Sequence, residues 1–166
     1  MLPTAQHQIE TARLTLRLVE APDLPALLEF NSNDAVTRHL PYESWKSIED
    51  AEAWYGRTCS RFAAGDAAQF VLVLRGSRRV IGTCLLFQFE KRSARAEIGY
   101  VLAQEYWGAG YMREALQGFI AFLFEQVGLR RLEAEVDPKN TASSRLLDRL
   151  GFVKEGLRRQ RWSDKG

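Results

Sequence analysis

Cysteine and histidine are scarce in this sequence, with two of each among 166 residues. Cys59 and Cys84 lie far apart and form no CxxC pair, which leaves a zinc site or a disulfide framework without support. Both are read by default as buried free thiols, and Cys84, in the middle of an apolar run, as a core thiol rather than a nucleophile. His7 and His39 are isolated and lack metal-ligand spacing, so neither is given a metal role. No apolar run approaches the roughly 18 residues needed to cross a bilayer. The opening MLPTAQHQIE has neither the basic start nor the apolar centre of an export signal, which argues for the cytoplasm. Neither sign of charge is in excess: 23 basic and 21 acidic residues give a formal net charge of +2, no general field for nucleic acid or a membrane surface. What is present is a 46% hydrophobic chain without repeats, low-complexity tracts or linkers, so residues 1–166 are read as one globular domain.

The pattern along the chain mixes two periods. RLTLRLV sets Leu14, Leu16 and Leu18 against Thr15 and Arg17, the alternation of a half-buried strand. Pro22 suits a first helical turn, and Leu24, Leu27, Leu28 and Asn31 then recur at helical spacing. Ser47 and Asp50 are placed as a capping box for a second helix that ends near Gly65. QFVLVLR, VIGTCLLFQF and RAEIGYVL follow, separated by short turns, and read as an antiparallel meander. A helical pattern through Ala115, Leu116, Phe119, Ile120, Leu123 and Val127 ends at Gly128, and RLEAEV resumes the strand period. Strand, helix, strand is a crossover, which predicts parallel neighbours. A last helix over residues 141–150 stops at Gly151, and FVKEGLR reads as another strand.

Between the meander and the crossover helix stands EYWGAGYMREAL, residues 105–116. Backbone amides at the start of a helix have no intrahelical partner, and the helix dipole adds positive charge there. Gly108 and Gly110 let the backbone approach an anion closely, most naturally a phosphate. A dinucleotide fingerprint would need glycine where Arg113 stands, and a Walker loop would need a GK[ST] ending that is absent.

Taken together, AEIGYVLAQEYWGAGYMREAL and LEAEVDPKNTASSRLLDRLGF strongly resemble the GCN5-related N-acetyltransferase (GNAT) superfamily, in particular its RimJ/RimL-like branch. ETARLTLRLVEAPDLPALLEF and HLPYESWKSIEDAEAWY extend the resemblance over nearly the whole chain. It implies an α+β (α/β) fold: a central mixed, mostly antiparallel sheet of six to seven strands, flanked by about four helices. The sheet would be splayed between the fourth and fifth strands counted from Leu14. Acetyl-CoA, with no metal, would lie in that splay. Backbone amides of Trp107, Gly108, Ala109, Gly110 and Tyr111 would hold its pyrophosphate, and Tyr100, Val101 and Leu102 would pair with its pantetheine arm like an added strand. Asn140 would bond the pantetheine and Ser143 would stand near the thioester sulfur. Each has a plainer role open to it, as a helix N-cap and as a partner for a backbone carbonyl. The acceptor would be a primary amine on a protein N-terminus, a peptide or a small molecule, contacted through RHLPYESW, where His39, Tyr42 and Trp45 lie. Those aromatics read equally well as packing.

Three positions depart from the superfamily pattern. Glu105 replaces a commonly cationic or amide residue and must face away from a phosphate. Leu147 stands where many relatives carry a tyrosine that protonates the leaving thiolate, so Ser143 or water must substitute. The sequence stops at RRQRWSDKG, before the usual seventh strand; either the fold is shortened or a partner covers that edge, as in a homodimer. The chemistry requires a base for the protonated amine. Glu97, beside the splay, is the first candidate, against a surface pairing with Arg95 or Arg13, and Glu133 and Glu135 are reserves. Direct attack in a ternary complex then needs no covalent intermediate, with a strand amide near Val101 stabilising the oxyanion. The alternative is a non-catalytic acyl-CoA-binding regulatory protein.

Overall fold

The computed structural model of the chain describes residues 1–156. The sequence QFVLVL is apolar at nearly every position because strand β3 (Ala68–Leu74) is covered on both faces. Phe70 and Leu72 point to one side and meet Leu14, Leu16, Ile81, Leu86, Leu116 and Phe119, all fully buried. Val71 and Val73 point to the other and meet Leu27, Phe30 and Trp45. Each fully buried side chain of this kind contributes about 1.5–3 kcal/mol of transfer free energy. Helix α4 (Tyr111–Phe122) supplies the first cover, with Phe119 edge-on to Phe70 at 5.3 Å between ring centres. Helices α1 (Leu24–Asn31) and α3 (Ile48–Ala63) supply the second, with the short α2 (Asp34–Thr37) between them.

The sheet has six strands in the order of the chain: β1 (Ile9–Glu10), β2 (Leu14–Leu18), β3, β4 (Val80–Glu90), β5 (Arg95–Leu102) and β6 (Arg131–Glu133). Neighbours are antiparallel through β5, which gives the meander, and the α4 crossover makes β5 and β6 parallel. The last turn of α4 widens into a π-turn at Leu123–Val127 and stops at Gly128, whose φ of +80° only glycine adopts without strain. The closing helix is α5 (Thr141–Arg149).

Five details differ from the sequence reading. Cys59, expected to be buried, lies exposed on α3, whereas Cys84 is in the core. A two-residue strand, Ile9–Glu10, precedes the first one expected and hydrogen-bonds back to β2. RLEAEV forms a strand only over Arg131–Glu133, because its parallel partner leaves after Glu97. FVKEGLR is not a strand over residues 152–156, and its last two positions lie outside the described residues. Ser47 caps α3 by its backbone geometry alone, and Asp50 accepts from the Lys46 N–H at 2.7 Å instead of closing a box with Ser47.

Candidate active site

Strand β5 has two halves. Over Arg95, Ala96 and Glu97 it pairs with Arg131, Leu132 and Glu133; from residue 98 to 102 no strand among the described residues lies on that side. The sheet therefore forks at Glu97. The Ala103 N–H bonds back to Ile81 on β4, so by strand alternation the backbone groups of Tyr100 and Leu102 face the fork. The Val101 carbonyl faces Gly82 on β4, which takes it away from the edge offered to an added strand. That moves the expected backbone contacts, and the strand amide sought for the oxyanion, from Val101 to its neighbours Tyr100 and Leu102.

The first wall of the fork continues from β5 through a 3₁₀ turn at Gln104–Tyr106 into residues 107–110 and α4. Gly108 and Gly110 have φ of +76° and +82°, the left-handed conformation an L side chain resists, and Gly110 caps α4 without a side chain. The first-turn amides of α4 thus have no protein cap, which suits a phosphate group. Three side chains brace the turn. The Trp107 indole donates to the Leu102 carbonyl at 2.8 Å. The Arg13 guanidinium donates to the Ala109 carbonyl at 3.1 Å and lies 4.0 Å over the Tyr111 ring. Glu114, in the first turn of α4, accepts from Arg13 Nε at 2.8 Å, the Arg13 N–H at 2.9 Å and the Thr11 hydroxyl at 2.5 Å. Burial alone would raise the Glu114 carboxyl, but the Thr11 and Arg13 hydrogen bonds outweigh it and hold the group below the usual carboxylate range. Glu105 turns away to Arg79, at 3.0 Å, so its charge is not presented to the turn.

The second wall runs from β6 through residues 134–140 to α5. Asn140 is the N-cap of α5, its side-chain oxygen accepting from the Ser143 N–H at 3.1 Å, and no partner of its amide nitrogen occurs among the described residues. The plain cap reading is therefore realised, with the donor end of the same group still available. The Ser143 hydroxyl hydrogen-bonds the Tyr100 hydroxyl across the fork. Among the described residues it bonds no backbone carbonyl. Burial, partly offset by Ser143 and reinforced by neighbouring Cys84, raises the Tyr100 phenol above its ordinary value.

Glu97 stands at the fork, only 8% exposed, with Phe87 and Glu133 opposite it in register. Ala96, Ile98 and Tyr100 belong to the α4 face of the sheet and Val101 to the other, so Glu97 and Tyr100 leave β5 on opposite faces. Of the arginines beside it in the sequence reading, Arg95 pairs with Glu90 at 2.9 Å and Glu133 at 3.7 Å, and Arg13 with Glu114. Glu133 also pairs with Arg131 at 2.9 Å. Tyr42 and Trp45 take the packing role. Tyr42 donates to the buried Asn31 at 2.7 Å and stacks on Trp45, which packs on Trp54. Within that segment His39 reaches the second wall, its Nδ1 lying 3.1 Å from Asp137. Among the described residues, no group of three or more His, Cys, Asp or Glu is arranged to hold a metal ion, and no helix is long and apolar enough to cross a membrane.

A free strand edge leading into a glycine turn at a helix N-terminus is the geometry a nucleotide thioester needs. The family model of the acetyltransferase (GNAT) domain matches residues 13–153. The chain belongs to this family. It is an N-acetyltransferase of the RimJ/RimL-like branch, with acetyl-CoA as donor. It is 36% identical to a Bacillus licheniformis protein named uncharacterized N-acetyltransferase p20, over 94% of this chain and 88% of that one. A solved structure from Vibrio cholerae, described as a putative ribosomal-protein-serine acetyltransferase, superposes with a TM-score of 0.84 at 30% identity, covering 96% of this chain and 91% of that one. Spermidine N-acetyltransferase from the same organism, solved with CoA and spermine, shares the fold with a TM-score of 0.82 at 23% identity, covering 93% and 89%. None of these likenesses supports a purely regulatory binding protein.

The clamp of Thr11, Arg13 and Glu114 escaped the sequence reading, since its members are about a hundred positions apart. The one available signal was an acidic residue in the first turn of the helix after the glycines. The Tyr100 hydroxyl also escaped, because only the backbone of that residue had been given a role.

Proposed function

We propose that this acetyltransferase acylates a primary amine of a protein or peptide, an N-terminal amine first among them, at the fork between β5 and β6. The observation that carries the reading is that β5 loses its parallel partner after Glu97 yet continues through residues 98–102 into the glycine turn. Similarity to the ribosomal-protein-serine acetyltransferase favours a protein acceptor, and the whole of residues 1–166 acts as one cytoplasmic domain in this reading.

Acetyl-CoA supplies an activated acetyl thioester. Backbone amides of Trp107, Gly108, Ala109, Gly110 and Tyr111 hold its pyrophosphate, with Arg13 and Glu114 keeping the turn in shape. Tyr100 and Leu102 offer their backbone edge to the pantetheine arm, and the Asn140 amide adds a hydrogen bond. One of the edge amides of β5 stabilises the oxyanion. Glu97 takes the proton from the attacking amine on one face of the sheet, and Ser143 donates to the departing sulfur from the other.

The experiment is thiol release from acetyl-CoA against a panel of N-terminal peptides, polyamines and aminoglycosides, with donor binding followed in parallel. Peptide-dependent release is expected; release with polyamines alone would move the acceptor to small amines, and binding without release from any acceptor would overturn the transferase reading of this site. Glu97→Gln is expected to lower kcat/KM by about 10²–10⁴-fold. Wild-type turnover in that variant would remove Glu97 as the base.

A further inference from the structure

The proton-transfer side of the fork contains one contact that the reading above leaves unused. Ser143 is the second residue after the start of α5, and among the described residues its hydroxyl has a single partner, the phenol of Tyr100 on β5. Among the described residues the Tyr100 hydroxyl likewise has Ser143 as its one partner. A hydroxyl pair with no other partners can be arranged in two ways, and the two differ chemically. If Ser143 donates to Tyr100, the serine proton is turned back toward β5. If Tyr100 donates to Ser143, the serine proton is free to turn toward the cleft.

We infer that Tyr100 donates to Ser143 and so positions the Ser143 hydroxyl proton for the leaving sulfur, making Tyr100 a positioning residue and the reserve proton of the reaction. This deepens the acyl-transfer reading and rests on it. The surroundings favour that direction. Tyr100 is half-buried, lies opposite Cys84 in the β4–β5 register and packs against the α4-side core, so its hydroxyl, held at Ser143, is turned from the apolar side toward the fork. Cys84 is fully buried, and burial keeps its thiol protonated, so no charge beside Tyr100 competes for the bond. Ser143 sits at the amino end of α5 with its own N–H held by Asn140, so its side chain is anchored at the mouth of the fork. One turn later on the same helix face stands Leu147, buried and unable to donate. The phenol that α5 lacks is brought across from β5.

The proton balance closes without any added reagent. As the carbon–sulfur bond breaks, its electron pair remains on sulfur. Ser143 gives its proton to that sulfur, Tyr100 gives its proton to the Ser143 oxygen, and water restores the Tyr100 phenol. The ammonium gives one proton to solvent before attack; its second passes to the base on the opposite face of the sheet as the carbon–nitrogen bond forms, and the base then returns it to solvent, offsetting the proton that water gave to Tyr100. The raised Tyr100 phenol keeps its proton at neutral pH.

The test uses the full chain and four proteins: wild type, Tyr100→Phe, Ser143→Ala and the double variant. The first readout is the ultraviolet thiolate absorbance of bound CoA as a function of pH, which needs no turnover. A donated hydrogen bond stabilises the bound thiolate, so each single variant is expected to lower its fraction at a fixed pH by roughly tenfold, a shift of about one pKa unit. The second is steady-state kinetics: kcat falls roughly 10- to 100-fold in each single variant with KM for acetyl-CoA within about twofold, and the double variant is no slower than the worse single one. Bound CoA that titrates alike in wild type and Tyr100→Phe, with kcat unchanged, would overturn the inference. Should Tyr100→Phe fail to fold, Ser143→Ala decides the matter by the same titration, its unchanged curve being fatal. Losses that add in the double variant would also overturn the relay. A wild type that releases no thiol with any acceptor would defeat the transferase reading, while the CoA titration would still judge the contact.

Discussion

The two walls of the fork are built in different ways. The wall made by β5, the glycine turn and α4 is continuous with the main core: Met112, Ala115, Leu116 and Phe119 are buried beneath it, and the Thr11, Arg13 and Glu114 clamp ties it to β2. The wall made by β6 and α5 is a three-residue strand and a helix with one fully buried side chain, Leu147. It is tied across the fork by side chains, Tyr100 to Ser143 and His39 to Asp137. The contrast follows from what each wall contributes. Backbone amides bind a phosphate tightly only if they are already in place, so ordering them in advance lowers the cost of binding. Hydroxyls and carboxylates that move protons need only be held at their tips, and few-contact elements are where proteins open locally.

The largest effect that tests this contrast is expected at Gly82. A Cβ there would lie 2.5 Å from the Val101 carbonyl, a backbone atom that can retreat only if β5 itself shifts. Gly82→Ala should therefore cost about 2 kcal/mol by overpacking, lowering Tm by roughly 5 °C for a chain of this size, and should weaken acetyl-CoA binding as well. Gly99→Ala, on the same pair of strands, places its Cβ 3.8 Å from the Phe87 ring, an ordinary contact, and should melt close to wild type. Equal melting of the two variants in calorimetry would show that the first wall is not rigid.

A smaller effect is expected at the clamp, and it is specific to pH. The Glu114 carboxyl in the folded chain titrates below its ordinary value of 4.5. Its stabilisation is therefore complete above about pH 4.5 and is lost as pH falls through the lower native value, because protonation weakens the bonds from Thr11 and Arg13. Glu114→Gln should lose stability less steeply than wild type below pH 4.5, as followed by Tm against pH. At neutral pH its KM for acetyl-CoA should rise about tenfold, since the brace on residues 107–111 is gone. A KM that does not move would leave the clamp with a purely structural role.

How much of this was legible beforehand depended on whether the cause was local. The continuous apolar run of β3, the alternation of β2 and the glycines at 108 and 110 are local, and each announced its structure. The splay was legible only through the family resemblance, because RLEAEV alternates as well past Glu133 as before it, and periodicity does not record where a parallel partner departs. FVKEGLR misled for the same reason, since residues 152–156 have strand-like spacing and no strand form. Ile9–Glu10 is too short to produce a period at all. The clamp depends on residues brought together by the fold from opposite ends of the chain, and the aim of Tyr100 at Ser143 depends on which face of β5 carries it. Neither is written in any window of the sequence.

The smallest predicted effect concerns the tie between His39 and Asp137, and it separates holding a wall from building one. The Asp137 carboxyl lies below its ordinary value of 3.8 chiefly because it accepts the Lys139 N–H, with His39 a lesser cause. The stabilisation from Asp137 is thus present above about pH 3.8 and fades as pH falls through the native value, and most of it does not need the histidine. His39→Gln should accordingly keep most of the acid limb of the stability curve, whereas Asp137→Asn should remove it. Both groups are partly open to solvent, where such pairs are screened, so neither change should cost more than about 1 kcal/mol at neutral pH. What His39→Gln should alter is the acceptor step, because the α2–α3 segment then loses this tie to the wall that carries Asn140 and Ser143. A rise in KM for the acceptor with KM for acetyl-CoA unchanged is the expected result. A change in the donor constant instead would mean that the tie shapes the phosphate end of the fork, and the division of labour between the walls would fail.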